Sequence, residues 1–240
     1  MNALILTGGL GIRLREIVTN KPKPMVLIAN RPFLEYLILQ LKQYGFTDIV
    51  LCIGYLGEQV RKYFGDGDRW GVHISYSWEK EPLGTGGAIN LAEKLVKEEN
   101  FLVMNGDSFL DVNLKKLIDY HLKQRALATM ALAEVENPLR YGAVEINERG
   151  EIKSFVEKGQ SSRSRLINGG IYVLNKKIFD YIPVGKVSLE KEVFPKLIGK
   201  GFYGMPTKGF FIDIGVPEDY KRLEANPNIL LGLASQGRRC

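Results

Sequence analysis

A chain of 240 residues, 45% hydrophobic and 25% charged, is long enough to bury a full core and lies within the range of one large domain. It has no run of about eighteen uninterrupted apolar residues and no basic stretch before its short apolar N-terminal segment, which argues against a membrane span and a signal peptide. The formal net charge of +6 favours anionic partners, yet Lys and Arg are scattered among acidic residues without interleaved aromatics, so nucleic acid is not expected as a partner.

Cys52 and Cys240 are too few for a disulfide framework, and Cys52 sits in the apolar run Ile49 to Ile53, so the cytoplasm is the expected compartment. With two histidines, His73 and His121, and no CxxC pair, a His/Cys zinc site is not available. Both histidines are expected to be structural, and any metal should be held by carboxylates.

In chain order, the pattern alternates short β-branched runs with helical periodicity. Strands are expected over 3–6, 48–53, 72–77 and 101–104, and helices over 32–45, 56–64 and 86–97. Leu34, Leu37, Ile38 and Leu41 recur at i, i+3, i+4, i+7, with Gly45 as the stop. This βαβ series predicts a mostly parallel sheet in an α/β fold. Strands are then expected over 128–135, 143–146, 152–156 and 166–174 without long helices between them, and helices over 188–200 and 216–224. Residues 157–165 read as an exposed loop. No repeat of solenoid length is present, so 1–240 is expected to be a single domain, with 226–240 as a tail prone to fray.

The first chemical signal is the loop Leu6-Thr7-Gly8-Gly9-Leu10-Gly11-Ile12-Arg13-Leu14 directly after the first strand. Gly8, Gly9 and Gly11 leave backbone amides free to surround phosphate oxygens. Leu14 stands where the dinucleotide fingerprint needs its third glycine, and no Gly-Lys-Ser/Thr follows, so neither familiar phosphate motif applies. Arg13 supplies a planar fork suited to a phosphate chain; the bland alternative is a glycine turn with a surface arginine. In Lys21-Pro22-Lys23-Pro24-Met25 two prolines fix the backbone around Lys23 and limit where its ammonium can reach.

Gly84-Thr85-Gly86-Gly87-Ala88 is a small-residue turn opening a helix, where a flat base can lie against the backbone; an ordinary helix entry is the competing reading. Asp107 follows the apolar strand Phe101 to Met104, at the sheet edge where α/β ligand sites gather, although a capping aspartate would look the same. Asp213 follows a second apolar run, so two carboxylates distant in sequence can converge on one hard cation. Asn168-Gly169-Gly170 interrupts a β-favouring run, and interior glycines there suggest close approach of a ligand to the backbone.

Gly8-Gly9-Leu10-Gly11-Ile12-Arg13-Leu14 followed by Lys21-Pro22-Lys23-Pro24-Met25 resembles the signature of the sugar-1-phosphate nucleotidyltransferases. The resemblance continues through Glu81 to Ala88, Asn105-Gly106-Asp107, Val156-Glu157-Lys158, Asn168-Gly169-Gly170 and Phe211 to Gly215, covering residues 1 to about 226. It implies a Rossmann-like three-layer α/β/α fold with a mostly parallel mixed sheet, of the nucleotide-diphospho-sugar transferase type. It also implies transfer of a nucleotidyl group from a nucleoside triphosphate to a sugar 1-phosphate with release of pyrophosphate.

On the same resemblance, Mg2+ is the cofactor, bound by Asp107 and Asp213, and Arg13 and Lys23 serve catalysis with them. Leu6, Gly8, Gly9, Gly11, Arg13, Gly84, Thr85 and Gly86 bind nucleotide. Asp107, Gly142, Glu157, Lys158, Asn168 and Gly170 bind the sugar phosphate, with Glu157 on sugar hydroxyls and Lys158 on the phosphate. The Glu81 to Ala88 stretch is similar to that of enzymes using GTP. The short chain is most similar to the members acting on D-glycero-α-D-manno-heptose 1-phosphate, which supply GDP-heptose for bacterial cell-envelope polysaccharides. Transfer to mannose 1-phosphate is the leading alternative, with uridylyl or thymidylyl transfer behind it. A monomer or small homo-oligomer is expected. A non-catalytic sensor with the same fold should have lost charged site residues, whereas Arg13, Lys23, Asp107, Lys158 and Asp213 are all present.

Overall fold

The computed structural model describes residues 1–9, 21–156, 160 and 162–230. In chain order its elements are β1 (Ala3–Leu6), β2 (Leu27–Ile28), β3 (Arg31–Pro32), α1 (Phe33–Gln43), β4 (Asp48–Ile53), α2 (Gly57–Phe64), β5 (His73–Trp78), α3 (Gly84–Leu91), β6 (Asn100–Asn105), β7 (Ser108–Leu110) and α4 (Leu114–Gln124). The second half adds β8 (Ala128–Glu134), β9 (Ala143–Ile146), β10 (Ile152–Val156), β11 (Leu166–Asn175), α5 (Phe194–Leu197), β12 (Phe202–Thr207), β13 (Phe211–Asp213) and α6 (Pro217–Ala225).

Seven strands form one sheet in the order β12-β8-β11-β6-β1-β4-β5. β6, β1, β4 and β5 run parallel, β11 is antiparallel to both of its neighbours, and β12 is parallel to β8. The expected mostly parallel mixed sheet is therefore present, and its period-2 alternation sorts side chains into two cores. Ala3, Ile5, Ile49, Leu51, Leu102 and Met104 face one layer with α1, α2, α4 and α6, whereas Leu4, Val50, Cys52, Phe101 and Val103 face α3, α5 and the turn before α5. Burial pushes the Cys52 thiol up to about 12, so it packs as an apolar group and not as a nucleophile.

Several expectations are corrected. The helix expected over 86–97 starts at Gly84 and ends at Leu91, with a 3-10 turn over Glu93–Leu95. The one expected over 188–200 is a π turn, Leu189–Val193, followed by one turn of α-helix with Pro195 near its start. Helix α4, for which the sequence shows a helix pattern at His121 but no bounds, buries Leu114, Leu117 and His121 on one face, and the Asn113 side chain accepts from the Lys116 N–H at 3.0 Å. Lysines at 115, 116 and 123 dilute that apolar signal. At the start of the tail, Leu230 is fully buried in the larger core.

His121 is structural, as expected. Its Nδ1 lies 2.9 Å from Thr129 Oγ1 and its Nε2 lies 3.0 Å from Asn100 Oδ1, which ties α4 to β8 and β6. Burial lowers its pKa from 6.5 to about 4, so between these values the unfolded chain binds the proton that the folded chain refuses. Stability present above pH 6.5 is thus lost as pH falls toward 4, by an amount on the order of 3 kcal/mol at most. Urea unfolding across that window should show the loss, and His121→Gln should flatten the slope; an unchanged slope would mean that His121 does not carry it.

Candidate active site

The carboxyl ends of β1, β4, β5 and β6 meet on one edge of the sheet, on either side of the point where chain order reverses around β1. Such a switch point leaves a crevice, because connections leave it in opposite directions. Here Thr7 is tied to β4, its N–H and Oγ1 both donating to Cys52 O at 2.9 and 2.7 Å. On the other flank the Gly106 N–H donates to Leu6 O at 2.9 Å, and a Cβ on Gly106 would fall 2.6 Å from that oxygen. The resulting cleft of about 510 Å³ is lined by Leu6, Thr7, Gly8, Gly9, Lys23, Gly84, Thr85, Asn105 and Asp107 among others.

Asp107 lies in the turn between β6 and β7. The ladder of β7 with β13 pairs Ser108 with Asp213, and the Ile214 N–H donates to Asp107 O at 2.9 Å, so two residues far apart in sequence become neighbours. Lys23 projects from a 3-10 turn, Lys23–Met25, flanked by Pro22 and containing Pro24. Its Nζ is 2.5 Å from Asp107 Oδ2 and 3.8 Å from Asp213 Oδ1, with 15% of its side chain exposed. The Gly215 N–H donates to Asp213 Oδ1 at 2.7 Å and fixes that carboxylate. A Cβ on Gly215 would overlap Lys23 Nζ and approach Asp213 Oδ1 to 2.8 Å.

One ammonium between two carboxylates leaves a formal charge of −1, and the donors facing each other are hard oxygens. Among the described residues no group of three or more His, Cys, Asp or Glu could hold a metal ion. Two carboxylates nonetheless suit magnesium, which completes its octahedron with water and substrate phosphates.

Glu79, the residue after β5, was not singled out by sequence reasoning. It is 8% exposed, yet its carboxylate lines the cleft, packed so closely on Gly8 and Gly54 that a Cβ at either would overlap it. Burial raises its pKa, and the Leu83 N–H, 3.1 Å away, opposes that rise. An acidic residue at the carboxyl end of a parallel strand is a legible signal, and Glu79 carries it as Asp107 does.

Gly84 and Thr85 line the cleft, and the small-residue turn is also tied to the protein's own chain. Val187 O accepts from the Gly86 and Gly87 N–H groups at 2.9 and 3.3 Å, and Thr85 Oγ1 donates to Glu190 Oε2 at 2.7 Å. Gly84 has φ +72, and a Cβ there would lie 2.6 Å from Val187 O. Gly86 is thus buried beneath residues 185–187, and it is not among the cleft-lining residues. Asn168-Gly169-Gly170 is likewise a bulge in β11: the Asn168 side chain accepts from the Gly170 N–H at 2.9 Å and donates to Tyr172 Oη at 2.8 Å. A Cβ at Gly169 would meet Leu110 and Ala131, and one at Gly170 would meet Ser108.

Gly142, at φ +82, closes the turn Pro138–Arg140, with its N–H on Pro138 O at 3.0 Å. Beside it Tyr141 donates to Asp219 Oδ2 at 2.8 Å, and Arg140 pairs with Glu218 at 3.0 Å, which clamps this turn to the helix following Asp213. Burial, then the Asp219 contact, pushes the Tyr141 hydroxyl well up, so it stays a donor. Gly142, Asn168 and Gly170 do not line the cleft beside Asp107. Gly11, Arg13, Glu157 and Lys158 lie outside the described residues.

A family model described as nucleotidyl transferase matches residues 2–230, and the chain belongs to that family. It is 42% identical over 226 residues to D-glycero-alpha-D-manno-heptose 1-phosphate guanylyltransferase of Aneurinibacillus thermoaerophilus, covering 93% of this chain and 97% of that one. The enzyme of the same name from Campylobacter jejuni is 43% identical over 224 residues, covering 92% and 97%. Among solved structures, HddC from Yersinia pseudotuberculosis complexed with GMP-PN superposes with a TM-score of 0.84 at 36% identity, covering 93% of this chain and 98% of that one.

Because the Cβ of Gly215→Ala would occupy the place of Lys23 Nζ, this substitution should displace the ammonium and lower kcat about tenfold or more, equivalent to roughly 1.4 kcal/mol. Steady-state kinetics beside a thermal melt make the check. Normal turnover in a folded variant would show that the position of Lys23 is not required.

Proposed function

We propose that this protein transfers the guanylyl group of GTP to D-glycero-α-D-manno-heptose 1-phosphate, forming GDP-heptose and pyrophosphate. The observation that carries the base assignment is the buried Glu79 carboxylate in the cleft. Guanine presents two adjacent donors, N1–H and N2–H, to a carboxylate, whereas uracil and thymine present one N–H between two carbonyls that would repel it. The sugar assignment rests on the heptose 1-phosphate relatives, which match nearly end to end. The mannose-1-phosphate guanylyltransferase of Mycobacterium tuberculosis is 37% identical, and this chain spans 64% of its length.

In this reading an oxygen of the sugar phosphate attacks the α-phosphorus in line, a new P–O bond forms, and the α–β bridge bond breaks. Lys23 turns from Asp107 to the phosphate oxygens, with Arg13 on the same triphosphate and Lys158 orienting the attacking phosphate; Glu157 holds sugar hydroxyls and Gly11 adds a backbone amide. A magnesium ion held by Asp107 and Asp213 would neutralise charge on the α-phosphate and the departing pyrophosphate. No helix among the described residues is long and apolar enough to cross a membrane. The partners in this reading are small molecules in the cytoplasm, without nucleic acid, for a monomer or small homo-oligomer.

Pyrophosphate release should be fastest with GTP and heptose phosphate when GTP, ATP, UTP, CTP and dTTP are crossed with heptose, mannose and glucose 1-phosphates. A faster reaction with mannose 1-phosphate reassigns the sugar, and no release from any pair favours a sensor. In Glu79→Gln the amide offers guanine one acceptor in place of two, so kcat/KM for GTP should fall by about 10- to 100-fold, equivalent to 1–3 kcal/mol, relative to UTP. An unchanged GTP to UTP ratio would contradict base reading by Glu79.

A further inference from the structure

A second cavity, of about 440 Å³, opens away from the cleft between the β2–β3 hairpin, α1 and the end of α2. Its size falls in the range of small-molecule sites. The hairpin turns through Ala29 and Asn30, at φ +48 and +63, and delivers Arg31 to the rim. Arg31 Nη1 lies 3.5 Å from Glu35 Oε1, while the other oxygen of this carboxylate accepts from Tyr63 Oη at 3.0 Å. Lys42 is engaged, donating to Trp70 O at 2.5 Å.

Arg69 is different. Its guanidinium covers the rings of Tyr63 and Trp70, 5.9 and 5.2 Å from their centroids, and among the described residues no carboxylate pairs with it. Burial, then the Glu35 contact, pushes the Tyr63 hydroxyl up, and both Arg69 and Arg31 oppose that rise. The cavity therefore carries three cations against the single carboxylate of Glu35. With its guanidinium carbon over two rings, Arg69 keeps its planar fork of N–H donors, which suits phosphate oxygens.

We propose that this cavity is a second binding site, for a phosphate-bearing small molecule whose phosphate sits between Arg31 and Arg69. Glu35 and Tyr63 hold the floor: the carboxylate orients Arg31, and a phosphate takes the donors that Glu35 leaves open. The remaining volume accommodates a group the size of a sugar. The cavity shares no lining residue with the cleft.

Trp70 lines this cavity and Trp78 is the only other tryptophan, so in a Trp78→Phe background Trp70 alone reports on it. Its fluorescence is titrated with ribose 5-phosphate and with inorganic phosphate at constant ionic strength. A saturable change is expected, with half-saturation below about 1 mM for at least one of them. Equal responses assign the site to free phosphate, and a tighter one with ribose 5-phosphate assigns it to a phosphorylated sugar. Affinity should fall about tenfold or more in Arg31→Ala and in Arg69→Ala, and stay unchanged in Lys23→Ala. A response that does not saturate overturns the proposal. So does a response that survives both arginine variants, or one that disappears with Lys23. A far-UV spectrum and thermal melt of each variant confirm the fold, and Arg69→Gln provides a second, uncharged replacement.

Discussion

The ion pair of Lys23 with Asp107 and Asp213 is the constraint around which the cleft is arranged. Two carboxylates brought side by side repel each other, and the β7–β13 ladder forces that proximity by pairing Ser108 with Asp213. A cation must offset the cost, and the chain supplies it from a turn whose prolines restrict the backbone. That turn is held in turn by α1: the Phe33 N–H donates to Val26 O at 2.9 Å, and Tyr36 Oη donates to Ile28 O at 2.8 Å. Gln40 reaches Leu110 O on β7 at 2.7 Å, so one helix braces both the cation and the strand beside Asp107.

The base end of the cleft uses another device. Residues 185–190 fold over the start of α3, where Val187 O accepts from the Gly86 and Gly87 N–H groups, Glu190 accepts from the Thr85 hydroxyl, and Ser188 Oγ donates to the same Glu190 carboxylate. With those donors engaged, the charged side chains lining this end of the cleft include Glu79 and Lys186, which in the proposed reading face the base. In the proposed reading, specificity rests on a charged group whose pairing is lost with the wrong base, a larger penalty than shape alone imposes.

Much of this was legible in the sequence because the relevant signals are local. The glycine loop after β1, the prolines around Lys23 and the aspartates at strand ends each follow from a backbone requirement or a position at a parallel-sheet edge. The convergence of Asp107 with Asp213 could be expected, but its cause, an antiparallel ladder of three residues a side, is a long-range pairing that no local pattern encodes. Glycines were harder to read. A glycine marks close approach without saying of what, and at Gly86, Gly87, Gly169 and Gly170 the neighbour is the protein's own chain. Glu79 was passed over because a lone carboxylate after a strand is common, and only its burial against Gly8 and Gly54 sets it apart. Helix α4 shows the converse case, a capped periodic segment with a helix pattern at His121 whose bounds the lysines blur by diluting a narrow apolar stripe.

The most direct test of the account is a double-mutant cycle in kcat/KM with Lys23→Met, Asp107→Asn and both together. If the ion pair sets the positions from which the ammonium and the carboxylate engage the reacting phosphates, the double variant should be about as slow as the worse single variant, with a coupling on the order of 2 kcal/mol or more. Additive losses would show that the two groups contribute separately, and would contradict the account of their ion pair as the organising interaction of the cleft.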